Sequence, residues 1–162
     1  MNFRFEKILT HPTFKNHITQ IQKNETNRVF CKHDMNHLLS VARIAYIISL
    51  EKNYNISKDI IYACALLHDI GRTAEYESGV SHNAAGALIA RDILHDCGYD
   101  SSEISGITDI ISAHNHSNDV ENSSALEEII CSADRLSRNC FDCSAYELCN
   151  WTEARKNTTL VY

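Results

Sequence analysis

The sequence predicts an all-α protein, and three observations carry that expectation. Apolar residues recur at three- and four-residue intervals along most of the 162-residue chain, the spacing that lines one face of a helix. Turn signals are sparse: one proline and five glycines are too few to punctuate a fold of many short strands. The polar residues that interrupt the apolar runs, Ser57, Ser81, Asp100 and Ser124, are of the kind that caps helices.

Residues 1–30 place Ile8, Leu9, Phe14, Ile18, Ile21, Val29 and Phe30 at helical intervals broken by His11-Pro12, which predicts two short helices with His11 and His17 on the surface. From Met35 to Leu50 the stripe Leu38, Leu39, Val41, Ala42, Ala45, Tyr46, Ile47 and Ile48 predicts a buried helix with His37 near its start. Asp34 reads as the cap of that helix. Ser57 opens a nearly all-apolar helix through Ile60, Ile61, Ala63, Ala65, Leu66 and Leu67 that ends at Gly71. Residues 72–80 are polar and contain glycine, so a loop is expected there. Ser81 then caps a helix from His82 to Cys97, which Gly98 terminates. Asp100 with Glu103 and Ser124 with Glu127 have the spacing of reciprocal caps, ahead of helices over 104–113 and 125–138. Ser144 and Glu147 repeat the spacing in the tail.

The length and the 44% hydrophobic and 22% charged residues suit one domain over 1–162, with a motif-bearing core at 30–138 and a cysteine-containing tail, 139–162, packed on it. A net charge of −6 gives no basic footprint for extended nucleic acid, although a few clustered Lys or Arg could hold one phosphate group. There is no signal-peptide core and no apolar stretch near the roughly 18 residues of a membrane span, so a cytoplasmic protein without a membrane partner is expected. The seven cysteines then read as reduced thiols or metal ligands, with Cys64 a small buried side chain.

The chemistry concentrates in His68-Asp69-Ile70-Gly71, at the end of the apolar helix. Adjacent residues on a regular helix diverge by about 100°, but a helix end relaxes that limit, and Gly71 lets the backbone turn at once. His68 and Asp69 could then approach one ion, with His37 and Asp134 completing the sphere from facing helices. Asp134 sits in the apolar helix segment Ser132-Ala133-Asp134-Arg135-Leu136, where a carboxylate needs a partner. Imidazole and carboxylate together suit Zn, Mn, Fe or Mg.

The order His37, His68-Asp69, Asp134 resembles the HD superfamily of metal-dependent phosphohydrolases. His37-Leu38-Leu39-Ser40-Val41-Ala42 is similar to that family's first-helix signature, Ala65-Leu66-Leu67-His68-Asp69-Ile70-Gly71-Arg72 to its central one and Ala133-Asp134-Arg135-Leu136 to its last. The resemblance spans about residues 30–138. It implies a bundle of about six to eight helices and hydrolysis of phosphomonoester, phosphodiester or nucleotide bonds. It also implies one or two divalent ions, Mn, Fe, Zn, Ni, Co or Mg.

Branches of the family carry further histidines between the dipeptide and the last aspartate, and His82 and His114 are placed like them, with His116 an alternative to His114. With two ions, Asp69 bridges and His82 and His114 hold the second; with one, His82 lies near phosphate. Water activated by the metal attacks phosphorus in line. Arg72 is the expected phosphate clamp, since guanidinium matches two phosphate oxygens. Glu75 and Glu77 are candidate acids or sugar contacts, and His33 and Lys32 could reach a small phosphorylated substrate, a nucleotide above all, at the pocket rim.

Cys140-x2-Cys143-x5-Cys149 resembles part of a zinc or iron–sulfur ligand set, which Cys31, Cys97 or Cys131 could complete. Packing of small thiols around Trp151 is the simpler reading. The alternative to an enzyme is a nucleotide- or metal-binding sensor that uses these cysteines as a redox or structural element.

Overall fold

The computed structural model describes residues 3–113 and 123–162. Among them are eight α-helices and no strand: α1 (Phe5–Thr10), α2 (Pro12–Asn24), α3 (Met35–Glu51), α4 (Lys58–Leu67), α5 (Arg72–Ser78), α6 (His82–Cys97), α7 (Ser101–Ala113) and α8 (Ala125–Leu136). None of these helices is long and apolar enough to cross a membrane.

A helix apolar on every side belongs in the middle of a fold, and α4 is there. Ile61 and the run from Ala63 to Leu67 are fully buried, and α4 touches α1, α3, α6, α7 and α8. Its neighbours also pair among themselves, α3 with α8 and α6 with α7, while α2 packs on α5.

The expected caps are made. Asp34 accepts from His37 N–H, Ser57 from Asp59 N–H and Ser124 from Glu127 N–H. At α7 the cap is reciprocal, since Asp100 Oδ1 accepts from Ser102 and Glu103 N–H while Glu103 Oε2 accepts from Asp100 N–H. That cap starts the helix at Ser101, three residues ahead of the expected position. Ser81 precedes α6 without a side-chain cap bond.

Residues 72–80 depart from the expected loop. They form α5, because Gly71 O accepts from Ala74 and Glu75 N–H and Gly79 closes the helix in a left-handed conformation, φ 69°. Polarity misled here: α5 is a short helix lying on the surface, not an irregular link. His17 also differs from its expected surface role, since its Nδ1 lies 2.8 Å from Thr73 Oγ1 and ties α2 to α5. His11 caps α2 by accepting from Thr13 N–H.

The tail runs through two 3-10 turns, Cys140–Asp142 and Tyr146–Leu148. Ser144 does not cap the second, whose N-cap is Ala145 without a side-chain bond. Asn157 anchors the segment to α8: its Nδ2 donates to Arg135 O at 2.6 Å and Arg138 O at 2.8 Å, and its carbonyl accepts from Phe141 N–H.

Candidate metal centre

Three helix ends meet here, the start of α3 and the ends of α4 and α8. His37 lies in the first turn of α3, where the Asp34 cap fixes its backbone at 3.0 Å. After Leu67 the chain tightens into i to i+3 turns, Ile70 N–H to Leu67 O and Arg72 N–H to Asp69 O. This tightening brings the adjacent His68 and Asp69 side chains together, His68 Nε2 standing 3.1 Å from Asp69 Oδ2. Asp134, in the last turn of α8, places Oδ1 3.3 Å from His37 Nε2 and 3.9 Å from His68 Nε2.

The turn after Asp69 depends on Gly71. A Cβ there would lie 2.0 Å from His82 O and 2.4 Å from Gly86 N, so the backbone of α6 sits directly against it. Only glycine permits that approach.

His37, His68 and Asp69 are buried, and their donor atoms lie within 4.8 Å of one another. Asp69 Oδ2 faces the Nε2 atoms of His68, His37 and His33 at 3.1, 3.5 and 4.0 Å. In each ring the other nitrogen is engaged. His68 Nδ1 lies 2.6 Å from Ala65 O. His37 Nδ1 lies 3.1 Å from Ser137 Oγ, whose own proton goes to Asp134 O, and His33 Nδ1 lies 2.5 Å from Glu25 Oε1. Carbonyl, hydroxyl and carboxylate acceptors on Nδ1 fix the tautomer that turns Nε2 inward, as partners of metal-bound histidines do. The donor set therefore fits a divalent cation of the kind that takes imidazole and carboxylate together.

The electrostatics agree. Burial works against an ionised Asp69, yet His68, His37 and Arg72 hold its carboxyl well below the usual range. Burial likewise opposes charge on His37, but Asp134 and Asp69 outweigh it and push the imidazole above its ordinary value. Two carboxylates thus draw positive charge into this point, and a divalent ion competes with protons for it.

The expected site residues are distributed as follows. His37, His68, Asp69 and Asp134 converge. Arg72 donates from Nε to Asp69 Oδ1 at 2.8 Å and from Nη1 to Glu75 Oε2 at 3.2 Å. His82 stands one step further out, its Nδ1 3.1 Å from Glu75 Oε1, and is not among the three donors that close on one another. His114 and His116 lie outside the described residues. His33 is more deeply placed than a rim residue, at 5% exposure.

Sequence reasoning missed Glu25, Ser137 and Arg138. Arg138 donates to His37 Nε2 at 3.0 Å and to Lys32 O at 2.8 Å, and lies 3.5 Å from Asp134 Oδ1. Its position four residues after Asp134, in line with that face of α8 although just past the helix end, is a signal that could have found it. Glu25 accepts from His33 N–H and Tyr76 O–H, 2.7 and 2.6 Å. These bonds and His33 hold its carboxyl down, to about 2, against burial. Nothing in its spacing announces that role.

The centre opens on a cavity of 330 Å³ lined by Arg28, Arg72, Arg138 and Arg155 together with His33, Asp134 and Trp151. Four guanidinium groups face one carboxylate, in a chain of net charge −6. A lining of this charge would favour an anion, and the volume suits a small molecule.

Fold and donors together define a helical domain that gathers histidine and aspartate around a cation position. The HD domain family matches residues 35–139, and the chain belongs to that family. It is 37% identical over 159 residues to an uncharacterized protein of Clostridium beijerinckii, covering 98% of this chain and 99% of that one. It shares its fold with the crystal structure of a predicted HD superfamily hydrolase from an uncultured Thermotogales bacterium, with a TM-score of 0.62 and 24% identity over 90% of this chain and 82% of that one.

Proposed function

We propose that the protein is a metal-dependent phosphohydrolase acting on a small phosphate ester, with a nucleotide as the substrate class. The observation that carries this reading is the junction of a buried His/Asp cage with an arginine-lined cavity. A cation cage alone suits many chemistries. One that opens on four arginines suits the hydrolysis of an anionic ester.

His37, His68, Asp69 and Asp134 would hold the metal, which supplies Lewis acidity and activates water when bound. Arg72 and Arg138 flank the cage from α5 and from just beyond α8, and each can engage two phosphoryl oxygens. As charge builds on those oxygens, fixed guanidinium groups stabilise it without reorganising. His33, steadied by Glu25 at Nδ1, turns Nε2 toward the same space and is placed to exchange a proton with the substrate there. Trp151, with Arg155 4.6 Å above its ring centroid, offers an aromatic face and a cation at the far wall, where a base and a second anionic group fit.

All seven cysteines are free thiols, which accords with a reducing compartment, and we place the reaction in the cytoplasm. The test is release of phosphate or pyrophosphate from a panel of nucleoside mono-, di- and triphosphates and simple phosphate esters, each with Mn, Fe, Co, Ni, Zn or Mg. Turnover of nucleotides over simple esters is expected. Turnover confined to simple esters removes the nucleotide, and absence of turnover with metal bound turns the reading to a binding module.

A further inference from the structure

Two thiols form part of the lining of the cavity beside the His/Asp cage. Cys31 and Cys149 line it, although they come from the segment before α3 and from the tail. Arg138 Nη1, just ahead of the tail, donates to Lys32 O at 2.8 Å and so links the two, while Arg28 Nε donates to Cys31 O at 2.8 Å within the segment before α3. Within the tail, Cys143 N–H bonds to Cys140 O, Tyr146 N–H to Cys143 O and Cys149 N–H to Tyr146 O. The three tail cysteines are thereby wound around one short stretch.

The Cys31 thiol feels all three. Burial raises its pKa, Arg138 opposes the rise, and the Cys143, Cys140 and Cys149 thiols add to it. The other cysteines are elsewhere: Cys131 acts on Cys64, and Cys97 has Lys7 and Asp96 as its charged neighbours. Of the three residues able to complete the tail's set, the fold brings up Cys31.

The tail has little else to hold it. Between 139 and 162 the buried residues are Cys140, Ala145 and Asn157, while Phe141, Leu148, Leu160 and Val161 are exposed. An irregular segment with so small an apolar core calls for a staple.

The span of the thiols indicates which. A single zinc with Zn–S bonds near 2.3 Å holds its four sulfurs about 3.8 Å apart. Among the described residues, the one group of three or more donors that closes to within 4.8 Å is His37, His68 and Asp69, so no three of these four sulfurs are that close. A four-iron cluster holds its cysteine sulfurs wider apart than one tetrahedral ion does. Four thiolates around either group leave net negative charge, and Arg28, Arg138 and Arg155 line the same cavity.

We propose that Cys31, Cys140, Cys143 and Cys149 together ligate a 4Fe–4S cluster that pins the tail to the segment before α3 and forms part of the cavity lining. The four thiols give up their protons and bind one iron each. This site is independent of the hydrolytic reading, since it uses none of the residues of the His/Asp cage.

The test is the full chain purified without air from iron-supplied cells and assayed for iron, zinc, acid-labile sulfide and visible charge-transfer absorption. About four sulfides per chain are expected, lost in Cys31→Ser and Cys143→Ser and retained in His68→Ala, which removes a ligand of the other centre. Should a serine variant fail to fold, alkylation of the native protein decides instead. The four cysteines should be protected while the cluster is present and become modified once iron is chelated away, as read by peptide mass spectrometry. One zinc per chain without sulfide, sulfide that survives loss of Cys31 and Cys143, or four thiols alkylated equally before and after chelation would each overturn the proposal.

Discussion

The two ends of α4 each bury an aspartate, and they treat it differently. At the N-terminal end Asp59 receives Arg4 Nε at 2.7 Å and Phe5 N–H at 3.1 Å. Arg4 also donates to both Glu103 oxygens and lies over the Tyr99 ring at 4.1 Å. Every member has a partner of opposite charge or complementary hydrogen bonding, and the cluster joins α1, α4 and α7. At the C-terminal end Asp69 has Arg72 on one oxygen, while the other faces three imidazoles at 3.1 to 4.0 Å. A second carboxylate, Asp134, draws on two of those imidazoles, His37 and His68, and the cluster opens on a cavity. A polar cluster that exists for stability neutralises itself; one built to hold a cation gathers donors around a shared point.

The largest effect that separates the two ends is expected from Asp69→Asn. The substitution keeps size and hydrogen bonding but removes the anionic ligand. Metal-dependent turnover should fall by at least about a thousandfold, and chelator-treated protein should melt lower than the parent as well, because Arg72 loses one of its two acidic partners. A metal affinity equal to the parent's, measured by titration calorimetry, would remove Asp69 from the ligand set.

Gly71→Ala should come next, and it acts on stability. The added Cβ meets backbone atoms of α6 at 2.0 to 2.8 Å, which cannot rotate away as a side-chain tip could. A cost of about 3 kcal/mol is expected, read by urea denaturation. A stability equal to the parent's would show that the close approach of the HD turn to α6 is not required.

Only the C-terminal side of this contrast was legible in the chain. The apolar faces gave the helices, and His68-Asp69 at a helix end pointed to the cage, because ligand types and helix period are both local properties. Asp34, Ser57, Asp100 and Ser124 marked starts for the same reason. The misses are of another kind. The α5 helix was hidden by its polar surface, and Glu25 acts on His33 through a contact that no spacing encodes. Arg28 and Arg155 reach the cavity only because the loop before α3 and the tail fold over it. Which of the candidates Cys31, Cys97 and Cys131 lies by the tail is likewise decided only in three dimensions.

Asp59→Ala tests the other end. Removing the carboxylate leaves Phe5 N–H without its acceptor and takes from Arg4 one of two acidic partners. Arg4 is partly exposed, so solvent and Glu103 recover part of the loss. About 2 kcal/mol of destabilisation is expected, with metal affinity unchanged. A change in metal affinity would mean that the two ends are coupled along α4.

The smallest effect is the most informative about how the cage is held. Ser137 Oγ sits between His37 Nδ1 and Asp134 O, at 3.1 and 2.7 Å, and so joins a ligand on α3 to the backbone beside a ligand on α8. Ser137→Ala removes no ligand and little buried volume, yet His37 loses the acceptor that fixes its tautomer and ring angle. Second partners of this kind are worth about tenfold or more in metal affinity, about 1.4 kcal/mol at the lower figure. Weaker binding in Ser137→Ala with global stability near the parent's would show that ring orientation sets affinity. Unchanged binding would mean that Asp69 and Asp134 alone orient His37, and the cage would then be held by its charges and not by its outer hydrogen bonds.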